Sequence, residues 1–432
     1  MGAHFLTLHQ NRRGGFPPLH LFLPVEETDM KKILLTAAVL LLCLLALPAL
    51  AEEAKDLTPD CKITLSPGKY KTLDRIYDRD WHTVYLSNKM KNPSVTVEAP
   101  KGTPMHGVYV CFGDKLAPWK VEAKQNGKWV TVFESEGLYA HEFAPLDGES
   151  CIRVMPASTK QTTLCIGEIY VYGEGELPAT VQFWQPAPEK ADLLVLSAHP
   201  DDEVLFFGGT IPYYAGEKGM NVVVAYMTCN LMERRSELLN GLWEAGVKTY
   251  PVIEDFWDKY TTKLDKGYDA WGKAATNKFI VGLLRQYKPE VVVTHDVNGE
   301  YGHGAHRVCA DAMKNAVVTA AKADKYTDSV KAYGTWEVKK LYLHLYKENQ
   351  IEMDWDQPLS AFGGRTGFEV AQDAYAWHFS QHDQGQKNKE TGEYEYFVVE
   401  PRESDYSCYR FGLAHTTVGL DVEKNDFFEN IP

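Results

Sequence analysis

The sequence predicts an all-β sandwich followed by an α/β domain with a parallel sheet, and three observations support this order. The chain has 432 residues, which is more than one hydrophobic core of ~250–300 residues usually spans. Residues 58–175 contain short alternating strand segments with no helix-length period between them. From residue 191 onward, buried strands alternate with helical stretches, a pattern typical of a parallel sheet covered by helices.

The composition is that of a globular protein with an acidic surface. Apolar residues make up 44% of the chain, and 45 Lys plus Arg face 59 Asp plus Glu, for a formal net charge of -14. Nucleic acids and anionic membranes select proteins with a basic face. The charge therefore argues against both as partners.

The first 51 residues have the layout of a targeting segment. Lys31 and Lys32 precede an apolar run over 33–47, and Ala49-Leu50-Ala51 follows as a cleavage site. This layout predicts a signal peptide over 30–51, a secreted or extracytoplasmic protein, and no membrane insertion after cleavage. Met30 is the expected initiator, with 1–29 as a start-site artefact. A transmembrane anchor is the alternative, because the run is just long enough to span a bilayer.

Residues 52–175 are predicted to form the sandwich. Segments 94–99, 107–112 and 151–155 alternate apolar and polar residues, and Asn126-Gly127 between two further strands is a favoured hairpin dipeptide. Export permits disulfides, and Cys151 with Cys165 is a candidate pair. Residues 176–191, with three prolines, are predicted to be an exposed linker.

The α/β domain is predicted over 192–432. We expect strands at 192–197, 221–226, 290–294 and 340–346, and helices at 204–218, 232–245, 274–287 and 306–321. Segments 394–399 and 409–412 are expected to add further strands. Ligands in such sheets bind beyond the carboxyl ends of the strands, and two polar motifs fall there.

The first motif is His-Pro-Asp-Asp-Glu over residues 199–203, directly after the first strand of the α/β domain. A turn brings residues i and i+3 together, so His199 and Asp202 can point at one ion. Asp201 lies between them as a carboxylate beside that ion. A chance occurrence of this pentapeptide is rare, and a simple acidic helix cap is the alternative.

The second motif follows the strand at 290–294 and includes Tyr301, His303 and His306. The two histidines stand at i and i+3 where a helix begins, so both can face one cleft. Imidazoles and one carboxylate with open positions are typical of a catalytic metal site. A non-haem Fe(II) oxygenase uses a similar ligand set and is the alternative chemistry.

Together these residues make 192–385 resemble the PIG-L / LmbE-like family of zinc-dependent N-acetylglucosaminyl deacetylases. The resemblance also includes Gly208-Gly209, Arg234-x-x-Glu237 and the tetrapeptide 378–381. It implies a Rossmann-like parallel sheet and hydrolysis of N-acyl amino sugars. The residue roles that it implies are one Zn²⁺ or another divalent ion on His199, Asp202 and His306, a general base at Asp201, transition-state stabilisers or an acid at His303 and Tyr301, and a substrate contact at Arg234.

One departure from that family lies between the two histidines of the second motif. The family usually has Pro-Asp there, whereas this chain has Gly304-Ala305. A missing carboxylate would remove an influence that raises the pKa of His303. The departure is therefore expected to affect the pH optimum and not metal binding.

The sandwich region resembles discoidin-type (coagulation-factor C-type) jelly rolls. The resemblance rests on the segment from Leu73-Asp74 to Thr83 and on the strand 166–173. Loops at one end of that family often bind glycans, so 52–175 is expected to be a carbohydrate-binding module or a module that only packs on the next domain.

The expected function is a secreted hydrolase that removes N-acetyl groups from N-acetylglucosamine-type sugars or glycans. Two alternatives remain from the sequence. One is a related zinc amidase that acts on a small amino-sugar conjugate, and the other is a non-catalytic glycan-binding protein.

Overall fold

A computed structural model describes residues 52–66, 72–81, 83–113, 117–387 and 394–432, with the side chains of 386–387 and 394–395 left out. The expected signal peptide and start-site segment over 1–51 lie outside the described residues. Among the described residues, no helix is both long and apolar enough to cross a bilayer.

The first part of the chain forms two antiparallel sheets packed face to face. One sheet has the strand order β1-β4-β9-β6-β7 and the other β2-β11-β5-β8, and β3 pairs with β10 beside them. The strands are β1 Lys62–Ser66, β2 Tyr85–Leu86, β3 Met90–Lys91, β4 Ser94–Glu98, β5 Met105–Phe112, β6 Trp119–Gln125, β7 Lys128–Ser135, β8 His141–Glu149, β9 Cys151–Pro156, β10 Gln161–Thr162 and β11 Cys165–Tyr172.

Local sequence explains the sandwich. Asn126 and Gly127 both have positive φ, 50° and 79°, and join β6 to β7 as the predicted hairpin. Apolar side chains of the two sheets meet in one core around Trp119. Cys151 carries a free thiol; it lies in β9, whereas Cys165 lies in β11 of the other sheet. The suggested disulfide between them is therefore wrong.

The segment 176–191 connects the sandwich to the α/β region and is partly buried. Val181, Gln182 and Trp184 are all less than 5% exposed. The Gln182 amide donates to Asn240 Oδ1 at 2.7 Å, which ties the segment to the α/β region. The expectation of an exposed linker therefore holds only in part: residues around the three prolines are exposed or half-buried, whereas the apolar and amide side chains between Pro178 and Pro186 include buried ones.

The second sheet has seven strands in the order β14-β13-β12-β15-β16-β20-β17. The strands are β12 Leu193–Ser197, β13 Val222–Tyr226, β14 Val252–Ile253, β15 Val291–Thr294, β16 Lys340–His344, β17 Gln350–Glu352 and β20 Arg410–Thr416, with a separate hairpin of β18 Gly385–Lys387 and β19 Tyr394–Tyr396. Strands β12 to β16 are parallel, but β20 runs antiparallel to β16 and to β17. The predicted parallel sheet is thus confirmed for β12 to β16, whereas the antiparallel pairing of β20 makes the whole sheet mixed and departs from the predicted Rossmann-like arrangement.

Helices cover both faces of this sheet. They are α1 Asp202–Leu205, α2 Met232–Glu244, α3 Leu264–Trp271, α4 Lys273–Tyr287, α5 Gly304–Ala320, α6 Thr327–Tyr333 and α7 Gly367–Tyr375, with a π-helical segment at Pro212–Glu217. The predicted helix at 204–218 is therefore broken in two. Sequence analysis did not predict α3, α6 and α7, which are nine residues long or shorter.

Burial on both faces explains the apolar run of β12. Leu193 and Val195 point into one core, and Leu194 and Leu196 point into the other. A strand of this kind has no solvent-facing side, as expected for the centre of a covered sheet. Since β12 and β15 are parallel neighbours, the loops after their carboxyl ends start side by side.

Candidate metal centre and active-site cavity

The first motif forms a tight turn between β12 and α1. The His199 N–H donates to Asp202 Oδ2 at 2.8 Å, which closes the turn. Asp201 has a positive φ of 106°, a conformation that is strained for a residue with a side chain. Its N–H donates to Glu203 Oε2 at 3.0 Å. The turn therefore holds three acidic side chains in fixed directions at the end of β12.

The second motif begins where β15 ends and reaches the first turn of α5. His295 follows β15, Glu300–Gly302 forms a short 3₁₀ turn, and His306 lies in the first turn of α5. His306 is 4% exposed and His295 is fully buried. The two motifs thus meet at one edge of the sheet, as the position of the motifs in the sequence predicts.

Three predicted ligands converge on one point. His199 Nδ1 lies 3.1 Å from Asp202 Oδ2, His306 Nε2 lies 3.4 Å from Asp202 Oδ1, and the two imidazole nitrogens lie 3.3 Å apart. Ligands held at ~2.0–2.2 Å around a tetrahedral ion are about 3.3–3.6 Å from one another. The separations are close to those of neighbouring ligands on a small divalent cation, with Asp202 presenting Oδ2 to His199 and Oδ1 to His306.

Two further combinations bring three metal-binding side chains together around His306: one adds His199 and His303, and the other adds Asp202 and His295. The ring of His295 is already occupied, because its Nε2 accepts the Ala198 N–H at 2.9 Å. Its Nδ1 faces Glu300 Oε2 at 2.9 Å. His295 is thus better suited to supporting the site than to binding an ion.

Glu300 is the centre of this support. The buried carboxylate faces the Nδ1 atoms of His295, His306 and His344 at 2.9, 2.8 and 2.7 Å, and accepts the Asp296 N–H at 3.0 Å. Burial alone would raise the pKa of Glu300, but the histidines hold that pKa well below its usual value. An ionised carboxylate only accepts, so Nδ1 of His306 carries the proton and Nε2 is left to bind a metal.

Carboxylates also act on His199 and His306. Burial opposes the charged form of each imidazole, but Asp202 and Asp258 raise the pKa of His199 to about 10. Asp202 and Glu300 raise the pKa of His306 to about 9. His199 Nε2 lies 3.4 Å from Asp258 Oδ1, so this half-exposed carboxylate orients the ring from the solvent side.

Asp201 stands beside the three ligands and is 5% exposed. Its burial raises the pKa of the carboxyl to about 7, against the opposing charge of Arg234. Arg234 Nη2 lies 3.3 Å from Asp201 Oδ2 and also donates to the Pro200 carbonyl. The guanidinium of Arg234, which the resemblance associates with the substrate, is thus used to brace the turn that carries Asp201.

His303 and Tyr301 lie on the other side of the site. The ring centroid of His303 lies 4.8 Å from that of His199, and its Nδ1 has no hydrogen-bond partner among the described residues. Burial and the neighbouring imidazoles of His306 and His199 lower the pKa of His303 to about 2. The Tyr301 hydroxyl donates to Glu400 Oε1. The structure therefore provides a neutral imidazole and a hydrogen-bonded phenol here.

These side chains surround one cavity of about 360 Å³. Its lining includes His199, Asp201, Asp202, Leu205, Phe206, Asp258, Tyr260, Tyr301, His303, His306, Gly385 and Phe397. Apolar walls with a few convergent polar groups are typical of small-molecule sites, which usually occupy ~300–1,000 Å³. A larger cavity of about 810 Å³ lies against α4 and α6 and contains none of the predicted site residues.

Six of the seven predicted site residues line this cavity, and the seventh, Arg234, contacts Asp201 without lining the cavity. Several supporting groups were not predicted from the sequence. Glu300 stands inside the second motif, and its position next to the histidines is a signal that could have been used. Asp258, His344 and Glu400 carry no local signal, because each reaches the site from a distant part of the chain.

A family model matches the segment that carries this site. Residues 194–317 match the PIG-L family, described as GlcNAc-PI de-N-acetylase.

Curated relatives match part of the chain. The 1D-myo-inositol 2-acetamido-2-deoxy-alpha-D-glucopyranoside deacetylase of Rhodococcus erythropolis is 28% identical over 194 residues. The enzyme of the same name from Rhodococcus opacus is 31% identical over 192 residues. In both cases the aligned part covers 37% of this chain and 63% of the relative. The chain thus spans less than two thirds of the length of these relatives, and the bounds of the PIG-L match do not include the sandwich region.

Two solved structures are similar to different parts of the chain. A conserved protein from Thermus thermophilus is 20% identical, covers 44% of this chain and 80% of its own, and has a TM-score of 0.33. A family 32 CBM from C. perfringens in complex with galactose is 15% identical, covers 28% of this chain and 97% of its own, and has a TM-score of 0.23.

Proposed function

We propose that this protein is a metal-dependent hydrolase that removes the acetyl group from N-acetylglucosamine-type sugars. The observation that carries the proposal is the convergence of His199, Asp202 and His306 on one point of a cavity, with the Asp201 carboxylate beside it. The PIG-L match and the deacetylase relatives support the same class of reaction. We further propose Zn²⁺ as the ion, because a set of two imidazoles and one carboxylate suits it.

The bound metal would supply Lewis acidity, which lowers the pKa of water toward neutrality and polarises the acyl oxygen. The chain must then accept a proton from the attacking water and return one to the departing amine. We assign both transfers to Asp201, whose carboxylate lines the cavity beside the ligands, is nearly buried and is held by Arg234. General acid–base groups positioned in this way typically contribute ~10²–10⁴-fold to the rate.

The developing negative charge on the acyl oxygen needs a hydrogen-bond donor. His303 and Tyr301 both line the cavity, and a neutral imidazole can still donate one N–H. Removal of one such donor typically costs ~3–4 kcal/mol in the transition state. We assign His303 to this role first, because its Nδ1 has no partner among the described residues whereas the Tyr301 hydroxyl is held by Glu400.

The remaining parts of the proposal concern location and the sandwich. We propose export through the segment 30–51, and a role for 52–175 either as a glycan-binding module or as a packing module. The Ala140 N–H of the sandwich region donates to the Tyr250 hydroxyl of the α/β region at 3.2 Å, a contact that supports at least the packing role.

Acetate release tests the proposal directly. Purified protein loaded with Zn²⁺ is incubated with N-acetylglucosamine, its β-linked oligomers and inositol-linked N-acetylglucosamine, and acetate is measured. We expect turnover by the wild type, and loss of at least ~10²-fold in Asp201→Asn. Asp324→Asn, an exposed carboxylate in the loop before α6, is the matched control and should retain activity.

Two measurements can contradict the proposal. If the metal-loaded wild type releases no more acetate than Asp201→Asn from any of these sugars, the assignment is wrong. Metal analysis of protein purified without added metal separates zinc from iron, and so separates the hydrolase from an Fe(II) oxygenase.

A further inference from the structure

Two large aromatic side chains stand in solvent on the loop that borders the cavity. Trp257 and Tyr260 are each 71% exposed, well above the exposure of most aromatic residues of this chain. Both belong to the loop 254–263 between β14 and α3. Covering an aromatic side chain contributes a large share of the free energy of packing and binding. Exposed aromatic side chains near a cavity therefore indicate a surface that a ligand covers.

The loop that carries them is held in place by its backbone. The Phe256 N–H donates to the Met227 carbonyl at 3.1 Å, and the Asp258 N–H donates to Asn230 Oδ1 at 2.8 Å. Trp271 Nε1 donates to the Trp257 carbonyl at 3.2 Å. The two rings are therefore presented by a fixed backbone, not by an unsupported loop.

The far end of the loop is fixed to the helix that carries His306. The Gly304 N–H donates to the Thr261 carbonyl at 2.6 Å. A Cβ at position 304 would lie 2.1 Å from Thr261 Oγ1 and 2.9 Å from the Lys263 carbonyl. Only glycine allows this approach, so the start of α5 is shaped to receive the loop.

One of the two rings lies next to the catalytic groups, and the other belongs to the same loop. The Tyr260 ring lines the cavity, with its centroid 5.1 Å from that of His303. Trp257 stands three residues earlier, no more than ~11 Å away along the chain. Asp258 lies between them and borders the cavity from the same side. The loop thus presents one exposed ring at the catalytic groups and a second exposed ring a short distance along the chain.

We propose that Trp257 and Tyr260 form an outer sugar-binding surface, and that the substrate is a glycan chain with further sugars next to the one that is deacetylated. This inference rests on the proposed function. The flat C–H face of a pyranose is apolar while its hydroxyls point to the sides, so an aromatic ring covers that face without hiding the hydroxyls. The cavity of about 360 Å³ accommodates one sugar with its acetamido group, and the neighbouring sugars lie over the exposed rings.

The test compares one sugar with a chain of four. Acetate release is measured for N-acetylglucosamine and for its β-1,4-linked tetramer with wild type, Trp257→Ala and Trp257→Phe. We expect Trp257→Ala to lower the ratio of kcat/KM for the tetramer to kcat/KM for the monomer about tenfold, because one stacked ring is lost. The change should lie mainly in the KM for the tetramer. Trp257→Phe should restore most of the ratio.

The matched control is Tyr333→Ala, which removes an exposed aromatic ring from α6 and should leave the ratio unchanged. If Trp257→Ala also leaves the ratio unchanged, or lowers both rates equally, the outer surface is refuted while the hydrolase assignment stands. If no acetate is released from either sugar, the affinity for the tetramer is measured by calorimetry for Asp201→Asn and for the double variant that also carries Trp257→Ala. Equal affinities overturn the proposal, and an affinity about tenfold lower in the double variant supports it.

Discussion

Replacement of Glu300 by glutamine tests the reasoning on the metal centre most severely. The change keeps the size of the side chain and exchanges one carboxylate oxygen for an amide NH₂. Four N–H groups face this carboxylate, from the rings of His295, His306 and His344 and from the Asp296 backbone, at 2.7–3.0 Å. With two of them directed at each oxygen, the new NH₂ meets two donors whichever way the amide turns.

The magnitude follows from those lost contacts. A hydrogen bond to a charged group contributes ~1.5–3 kcal/mol, so two of them amount to ~3–6 kcal/mol. Breaking a buried ionic pair from one side costs ~3–5 kcal/mol, a consistent figure. We therefore expect Glu300→Gln to lower the free energy of unfolding by about 3–5 kcal/mol and the Tm by roughly 6–20 °C.

The effect on the metal is separate from that on stability. Glu300 fixes the proton of His306 on Nδ1 and leaves Nε2 for the ion. Loss of such a support typically weakens metal affinity ~10–100-fold. The assays are thermal unfolding of the metal-free protein, and zinc titration against a competing chelator at a temperature below the unfolding transition of the variant.

The matched control is Glu337→Gln, which removes a negative charge from an exposed position before β16 and should change neither quantity. Glu300→Gln with an unchanged Tm would show that the carboxylate does not hold the three histidines as described. An unchanged zinc affinity in a destabilised variant would show that the proton on His306 does not depend on Glu300.

Three further predictions follow from the same contacts. The pKa of His199 is about 10 and that of His306 about 9, so both rings are protonated at pH 7 in the metal-free protein. Zinc binding should therefore release about two protons, and the zinc affinity should fall by up to ~10²-fold for each unit by which the pH is lowered. Calorimetry in buffers of different ionisation enthalpy measures the proton release, and finding none would refute this prediction. Gly304→Pro removes an N–H donor and adds a colliding ring, so amide hydrogen exchange in the loop 254–263 should accelerate and the preference for the tetramer over the monomer should fall. The control is Gly282→Ala, where a Cβ meets no atom within 4 Å, and it should change neither quantity. His303→Ala should lower kcat ~10²–10³-fold, because its imidazole is the assigned donor to the oxyanion, whereas Tyr301→Phe, which removes a hydroxyl held by Glu400, should lower kcat less; an unchanged kcat in His303→Ala would refute the assignment.

The elements that sequence could predict are those whose pattern is local. β12 was predicted because a strand buried on both faces is apolar at every position. The hairpin at Asn126-Gly127 was predicted because the positive φ of its type I′ turn is a property of two residues. The two motifs were placed at strand ends by the same reasoning, and their meeting point followed from the parallel pairing of β12 and β15.

The elements that sequence could not predict depend on partners far away in the chain. The antiparallel edge strand β20 is specified by its contact with β16, about 70 residues earlier, and its own sequence does not distinguish the two directions. Asp258 and Glu400 look like ordinary acidic loop residues until the fold brings them to His199 and Tyr301. Side-chain roles of this kind are tertiary properties, so no local pattern contains them.

The glycine between the two histidines illustrates how a local departure can have a distant cause. The pattern that this region resembles has Pro-Asp where this chain has Gly304-Ala305, and the carboxylate was expected to matter for the pH optimum. The structure supplies a steric reason instead. A proline at 304 could not donate to the Thr261 carbonyl, and its Cβ would collide with Thr261 Oγ1. The glycine and the loop that presents Trp257 and Tyr260 are thus one feature, so a chain that restores proline at 304 should also need a different loop at the entrance of its cavity.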